Sequence, residues 1–365
     1  MKKASDIMKN NFYDVAIIGA GPAGSTFACE LAARRPDARI LIIDGQTESN
    51  AKPCGGLLSP DAQKVLAEFE LTLPNAVLAD PQIFSVHTID LTACVTRLYQ
   101  RHYLNMDRLA FDRWLLSRLP EHVQVLNGRC TAIQRNGDFA LTVQTTHGTQ
   151  CVSARALVGA DGASSIVRRQ FFTRQPYKYV SIQQWFAGSD PSIPAYACIF
   201  DKETSDSCSW LIRKDDCTIF GGAFAKSGSR EAFEAQKARL EQHLGISFGQ
   251  PLKTEACQVC SPRHMRDFIT GKDGVYLVGE AAGLISASSF EGISSAMLSG
   301  RMLAKAFEKQ TPASIAGAYR RASKRLRFKL FTKTIKRKIL CSPALRYLIM
   351  KSGVQSVKIY RRDRS

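Results

Sequence analysis

The chain is 365 residues long, 45% apolar and 22% charged, with a net charge of +18 and a mean hydropathy of −0.14. That length supports a sizeable core in two or three packed layers, and the lack of any long uncharged apolar run excludes a membrane-spanning helix. Sixteen of the 50 Lys and Arg residues lie from Arg320 onward against one acid, Asp363, so the tail carries +15 and the body before it is nearly neutral.

The N-terminal MKKASDIMKNNFYD is short and polar and leads into a strand without a signal-peptide core, which points to a cytoplasmic protein. From Asp14 the chain reads DVAIIGAGPAG, an apolar strand running into GxGxxG. Helix-like sequence follows from Ser25 to Arg35, then a second apolar strand, ARILIID, ending in Asp44. This is the full context of a dinucleotide fingerprint. Gly19 permits the tight turn, and Gly21, between Ala20 and Pro22, lets the backbone approach a pyrophosphate. Gly24, after Ala23, lets helix and strand pack closely. The helix N-terminus offers unpaired N–H groups to phosphate oxygens, and Asp44 accepts hydrogen bonds from a ribose.

Next comes KPCGGLLSP, residues 52–60. Gly55 and Gly56 suit backbone that packs against a planar ligand, and Pro53 stiffens the approach. No partner ligands cluster near Cys54, which argues against zinc. A redox or proton-donating thiol and a small apolar wall residue both remain open readings of Cys54. The run from Leu104 to Leu115 is amphipathic and helical in pattern, with Phe111, Trp114 and Leu115 on one face and Arg108 near its start.

Two later stretches decide which dinucleotide fits. ARALVGADGASSIVRR is a strand ending at Asp161-Gly162, and GVYLVGEAAG is a strand ending at Gly279-Glu280. SSFEGISSAMLSG then opens a helix with small residues, including Gly292 and Ile293. An NAD site does not need these distant returns. FAD does, because its ribityl chain and isoalloxazine ring require supports of their own. Cys130 joins this set as a cofactor-side candidate.

Eleven cysteines, an odd number, favour free thiols. The one CxxC, Cys257-Gln-Val-Cys260, has no second pair and sits in a strand-like run, so no metal site is expected. Residues 171–270 alternate strands with turn signals, as an antiparallel sheet would, and Gln183, Gln184 and Trp185 are candidate pocket residues there. The tail interleaves Leu326, Phe328, Leu330, Phe331, Ile335, Ile339 and Leu340 with bases at roughly helical spacing. That pattern fits a helix lying on an anionic membrane surface, or a helix packed on the core with a solvated basic face. It carries no nucleic-acid motif.

The fingerprint, the Asp-Gly strand and the late Gly-acid-Ala-Ala-Gly strand together resemble the FAD monooxygenase/reductase superfamily of glutathione-reductase-like and p-hydroxybenzoate hydroxylase type. KPCGGLLSPDAQ, LPNAVLADPQIFSV, YVSIQQWFA, FGGAF, VGEAAGLISASSFEGIS and KRLRFKLF are similar to its FAD-dependent geranylgeranyl reductase family, CbrA-like branch, over nearly the whole chain. The resemblance implies an α/β fold: a discontinuous Rossmann-like FAD-binding domain (1–85, 101–170, 271–310), an inserted antiparallel β-sheet substrate domain (86–100, 171–270), and a basic C-terminal helical region (311–365). It implies that Arg108 supports the FAD phosphates, that Glu280 stands where the family has Asp against the ribityl chain, and that Gly292 and Ile293 lie against the ring. Ser288 and Ser289 stand where the family often has proline. The family's Tyr-x-Trp-x-Phe-Pro-Lys run is matched only by Trp210 and Lys214. Cys54 and Trp210 are thus the candidate catalytic residues, with Gln184, Trp185, Trp210 and Lys214 as the substrate pocket. The implied function is reduction of C=C bonds of an isoprenoid lipid at the inner membrane face, with NAD(P)H or a reduced ferredoxin or flavin as electron donor. The alternatives are an FAD monooxygenase of an apolar or aromatic molecule and a non-enzymatic flavin-bearing membrane sensor.

Overall fold

The computed structural model describes residues 11–45, 52–188, 190–191, 193–309 and 311–357. The polar lead-in over residues 1–10 and the last bases from Lys358 lie outside the described residues. Two sheets face each other across a large cavity.

The first sheet is built on the fingerprint. Strand Phe12–Ile18 pairs in parallel with Ile40–Asp44 on one side and with Gly148–Gly159 on the other. Gln124–Asn127 and Val275–Leu277 extend it in parallel at either end. Its strands read as near-continuous apolar runs because both faces are covered. Helix Pro22–Arg34 covers one face together with Ile293–Ala306, and Phe27, Leu31, Leu303 and Tyr319 fill the space between. These two helices come close because Gly300 has no side chain: a Cβ there would sit 2.8 Å from the Ala23 carbonyl oxygen. The other face is covered by the antiparallel strands Arg129–Asn136 and Asp138–Thr145, through Phe139, Leu141 and Val143.

The second sheet runs in the order 251–261, 177–187, 217–224, 208–214, 196–200, 83–90, 95–105, 57–58. The sequence suggested a wholly antiparallel sheet. One junction differs: Ile83–Asp90 lies parallel to Tyr196–Phe200. These strands are far apart in sequence, so no hairpin dictates their direction. Helix Ser229–Leu244 closes the outer face with Phe233 and Leu240 against Phe186, Phe220 and Phe224.

The amphipathic run at Leu104 is not one helix. Strand Val95–Asn105 continues through its first residues, and the helix Arg108–Leu116 begins after Asp107, whose carboxylate accepts the Ala110 N–H at 2.7 Å.

The tail forms helices Pro312–Ala322, Lys324–Cys341 and Pro343–Ser352. Lys324–Cys341 sends Leu326 and Leu330 into the first core, while Phe328, Ile335 and Ile339 stay exposed. The last helix is fixed to the second sheet by a buried ion pair, Arg346 to Asp90 at 2.7 Å, and by Arg97 donating to the Met350 carbonyl.

Candidate functional site

A single cavity of about 1410 Å³ runs from the fingerprint, between the sheets, to the tail helices. Its first part is backbone. Gly19 is held at φ +104°, where a Cβ would lie 2.5 Å from the Ala160 carbonyl oxygen, so the turn admits only glycine. A Cβ at Gly24 would overlap the Gly19 carbonyl oxygen, and Gly24 accordingly lies in the helix–strand contact rather than on the cavity wall. Gly21 differs: its φ of −66° is ordinary and a Cβ would meet nothing within 4 Å, because it faces the cavity. Ala20, Pro22, Ala23, Asp44, Cys130, Asp161 and Gly162 border the same space. Asp161 Oδ2 accepts the Ile166 N–H at 2.7 Å, whereas its Oδ1 is buried without a partner, and burial holds the carboxyl above its usual range.

The middle of the cavity is formed by the KPCGG loop and the turn before helix Ile293–Ala306. Cys54, Gly55, Gly56, Arg108, Glu280, Ser288, Ser289, Gly292 and Ile293 all border it. A Cβ on Gly55 would lie 2.5 Å from Ile212 Cδ1 and 3.7 Å from Trp210 Cδ1. Gly56 has φ +66° and packs on the Met106 carbonyl, with Met106 N–H donating back to the Gly56 oxygen at 2.8 Å. Cys54 Sγ accepts the Gly56 N–H at 3.4 Å. Arg108 Nε donates to Asp112 at 3.0 Å and also interacts with Cys54. Glu280 uses both oxygens: Oε1 accepts the Cys260 N–H at 2.8 Å and Oε2 pairs with Lys52. Burial opposes the charge on Lys52, yet the Glu280 carboxylate outweighs it and the amine is held above its usual range. Lys52 borders the cavity and escaped the sequence reading, because its partner lies 228 residues away.

The far part is walled by the second sheet and the tail. Trp210, Ile212, Phe200 and Tyr196 supply apolar surface, and the Trp210 Nε1–H is buried without a partner. The Cys208 thiol donates to the Ser288 carbonyl oxygen at 3.7 Å there, beside the Cys198 thiol. Tyr103 donates to Glu291 Oε1 at 3.2 Å and packs edge-on to Tyr196 at 5.3 Å. Arg101, Lys333, Lys336, Leu340, Ile349, Met350 and Val354 complete the outer end. Sequence alone gave no acid–base pair. Tyr103 and Glu291 meet only through the fold.

Four expected pocket residues lie elsewhere. Ser181 borders the cavity, so the alternation of its strand turns Gln184 to the other face, where its side chain meets Lys237, Glu234 and Thr254. Trp185 has the right parity but lies past the cavity's edge, donating to Glu255 at 2.8 Å under the Lys253 amine. Gln183 Nε2 also donates to Glu255, at 2.7 Å, and Gln183 does not border the cavity. Lys214 is buried behind the loop, where it donates to Asn105 Oδ1 at 2.7 Å, Met106 O at 2.6 Å and Gly56 O at 3.4 Å. Burial pushes its amine down to about 8. Gly279 lies outside the wall as well, at the contact with Ala23 and Ala296. Cys257 and Cys260 sit within strand Pro251–Ser261, and no three His, Cys, Asp or Glu side chains converge as a metal site among the described residues.

The cradle suits FAD on its own evidence. The open side of Gly21 and the helix N-termini at Pro22 and Ile293 face one elongated space.

Comparison with known proteins agrees with that geometry. A family model described as lycopene cyclase protein matches residues 14–188. Protein CbrA of Escherichia coli O6:H1 (strain CFT073) is 46% identical over 352 residues, covering 94% of each chain. A geranylgeranyl bacteriochlorophyll reductase-like protein from Thermoplasma acidophilum superposes with a TM-score of 0.78 at 18% identity, over 96% of this chain and 92% of its own. The flavin-dependent brominase Bmp2 gives 0.67 at 18% identity, over 93% and 92%. The fold is therefore that of the FAD-binding Rossmann-type flavoproteins.

Proposed function

The chain belongs to the CbrA protein family, and we propose that it is an FAD-dependent oxidoreductase that reduces C=C bonds of a polyprenyl-type lipid at a membrane surface. One observation carries this reading: the dinucleotide cradle and an apolar chamber form a single cavity. Its volume of about 1410 Å³ exceeds the roughly 300–1,000 Å³ of an ordinary ligand pocket, leaving room for a dinucleotide and an elongated second molecule.

Gly19–Gly24 and the helix N-terminus would hold the pyrophosphate, Asp44 the ribose and Arg108 the phosphates. The Pro53–Gly56 loop, Gly292 and Ile293 would hold the ring. Reduced FAD supplies a hydride when bound, with NAD(P)H or a reduced ferredoxin or flavin as the source of electrons. Trp210, Ile212 and Phe200 orient an apolar chain and exclude water. The Tyr103 hydroxyl, hydrogen-bonded to Glu291 beside Gly292, supplies the proton to the second carbon. Burial first, and then the Glu291 carboxylate, push this phenol well above its usual range, so the O–H is retained. Tyr103→Phe is expected to lower kcat about a hundredfold with KM changed by less than about twofold and flavin content unchanged. An unchanged kcat would remove Tyr103 from this role.

The tail supports the membrane part of the reading. Phe328, Ile335, Leu345, Leu348 and Val354 are exposed among bases, and Ile349 and Val354 also border the cavity. The chamber thus opens beside an apolar, cationic surface. Co-sedimentation with phosphatidylglycerol vesicles is expected, weakening with salt, since each base near an anionic leaflet contributes about 1 kcal/mol. Binding equally to uncharged phosphatidylcholine vesicles would count against it.

To test the function, the protein is reduced without oxygen and mixed with a bacterial lipid extract. An isoprenoid that gains two hydrogens supports the proposal. A product that gains oxygen once air is admitted moves the assignment to a monooxygenase, and no product in either case sinks both.

A further inference from the structure

We infer that the outer rim of the cavity grips an anionic head group, a phosphate or a carboxylate, of an amphiphilic substrate through Arg101, Lys333 and Lys336. This rests on the reading of the cavity as the substrate chamber. The three cations come from two elements that the sequence does not connect. Arg101 lies on strand Val95–Asn105, while Lys333 and Lys336 lie three residues apart on one face of the tail helix Lys324–Cys341. All three border the cavity.

Their neighbours on the tail are matched to acids. Lys329 pairs with Asp61 at 2.8 Å, Arg337 with Asp206 at 2.7 Å and Arg346 with Asp90 at 2.7 Å. No ion pair joins Arg101, Lys333 or Lys336 to any acid among the described residues. Glu291, which already accepts from Tyr103, is the acid near Arg101 and Lys336, and Asp61, already paired to Lys329, is the acid near Lys333. Two carboxylates that are already engaged therefore face three cations. Burial first, and then Arg101 and Lys333, hold the Lys336 amine below its usual range, and Glu291 does not offset them. An arriving anion relieves that repulsion. The wall next to the cations is apolar, with Leu340, Ile349 and Met350 on the tail and Phe200 and Ile212 on the sheet. A charged rim beside an apolar wall is the complement of an amphiphile that enters tail first.

The test is calorimetric titration of the flavin-loaded full chain, below micelle-forming concentrations, with farnesyl phosphate, farnesol, dodecyl phosphate and laurate. Farnesyl phosphate is expected to bind at least about tenfold tighter than farnesol, with the gap narrowing as salt rises. The double variant Lys333→Gln, Lys336→Gln should lose that gap while keeping its farnesol affinity, its flavin spectrum and its Tm. Lys329→Gln, which removes a cation already paired to Asp61, should keep the gap.

Equal binding of farnesol and farnesyl phosphate would overturn the head-group site and leave the isoprenoid reading standing. Dodecyl phosphate binding as tightly as farnesyl phosphate would keep the head-group site and count against the isoprenoid. Laurate in place of the phosphates would assign the rim to carboxylates. A gap that survives the double variant, or no binding of any probe, would overturn the inference.

Discussion

Gly21→Glu is expected to yield a folded chain that retains no flavin. The position is in an ordinary backbone conformation, φ −66°, and a Cβ there meets no protein atom within 4 Å and opens onto the cavity, so the fold has room for the change. The side chain instead enters the space that the pyrophosphate needs. It brings a carboxylate to the same helix N-terminus, where it would take the N–H groups and repel the phosphates. The purified variant should be colourless, with far-UV circular dichroism like the wild type. Gly24→Ala supplies the contrast. Its Cβ would overlap the Gly19 carbonyl oxygen, so that change should fail at folding. A yellow Gly21→Glu protein would show that the fingerprint does not hold the cofactor.

Lys214→Met is expected to cost about 3 kcal/mol of stability and to weaken flavin retention. Lys214 is 3% exposed, and its amine is the donor for the Asn105 amide oxygen and the Met106 carbonyl, with the Gly56 carbonyl at longer range. Methionine fills similar volume but donates nothing, so buried acceptors lose their partner. The consequence reaches the cofactor side because the clamp holds the loop itself: Gly56 is locked to Met106, and Gly55 packs on Trp210 and Ile212. A loosened loop would no longer press on the ring. Arginine should not rescue, since the Lys214 amine sits where even a Cβ on Gly56 would crowd it, at 2.5 Å. Chemical denaturation and flavin release measured together test this. Release unchanged despite lost stability would mean that the loop does not depend on the clamp.

The dinucleotide cradle was legible in the sequence because its requirements are backbone requirements. Only glycine satisfies the turn at Gly19 and the contact at Gly24, and the spacing of Asp44 follows from one βαβ unit. The substrate side was less legible. Alternation along a strand gives the face of a side chain but not where along the strand the cavity ends. Trp210 and Ile212 border it, and Lys214, two residues further on the same face, lies beneath the loop. Gln184 shows the cost of misjudging parity by one residue. Lys52 with Glu280 and Tyr103 with Glu291 are pairs made by tertiary packing across long separations, and no local pattern marks them. The tail's alternation of bases and apolar residues fitted both a lipid surface and a packed helix. The structure packs Leu326 and Leu330 inward and leaves Phe328 and Ile335 exposed, so the helix is packed on the core and the proposed lipid contact falls to its outer face.

The central claim is that this cavity passes electrons from bound flavin to the double bond of an apolar chain. Its most direct test is a stopped-flow experiment without oxygen, mixing dithionite-reduced protein with farnesyl phosphate or farnesol, and separately with their saturated analogues. The account predicts that the flavin is reoxidised by at least one of the unsaturated molecules and by neither saturated one, at a rate that falls in Tyr103→Phe. Flavin that stays reduced with every isoprenoid until oxygen is admitted would contradict it.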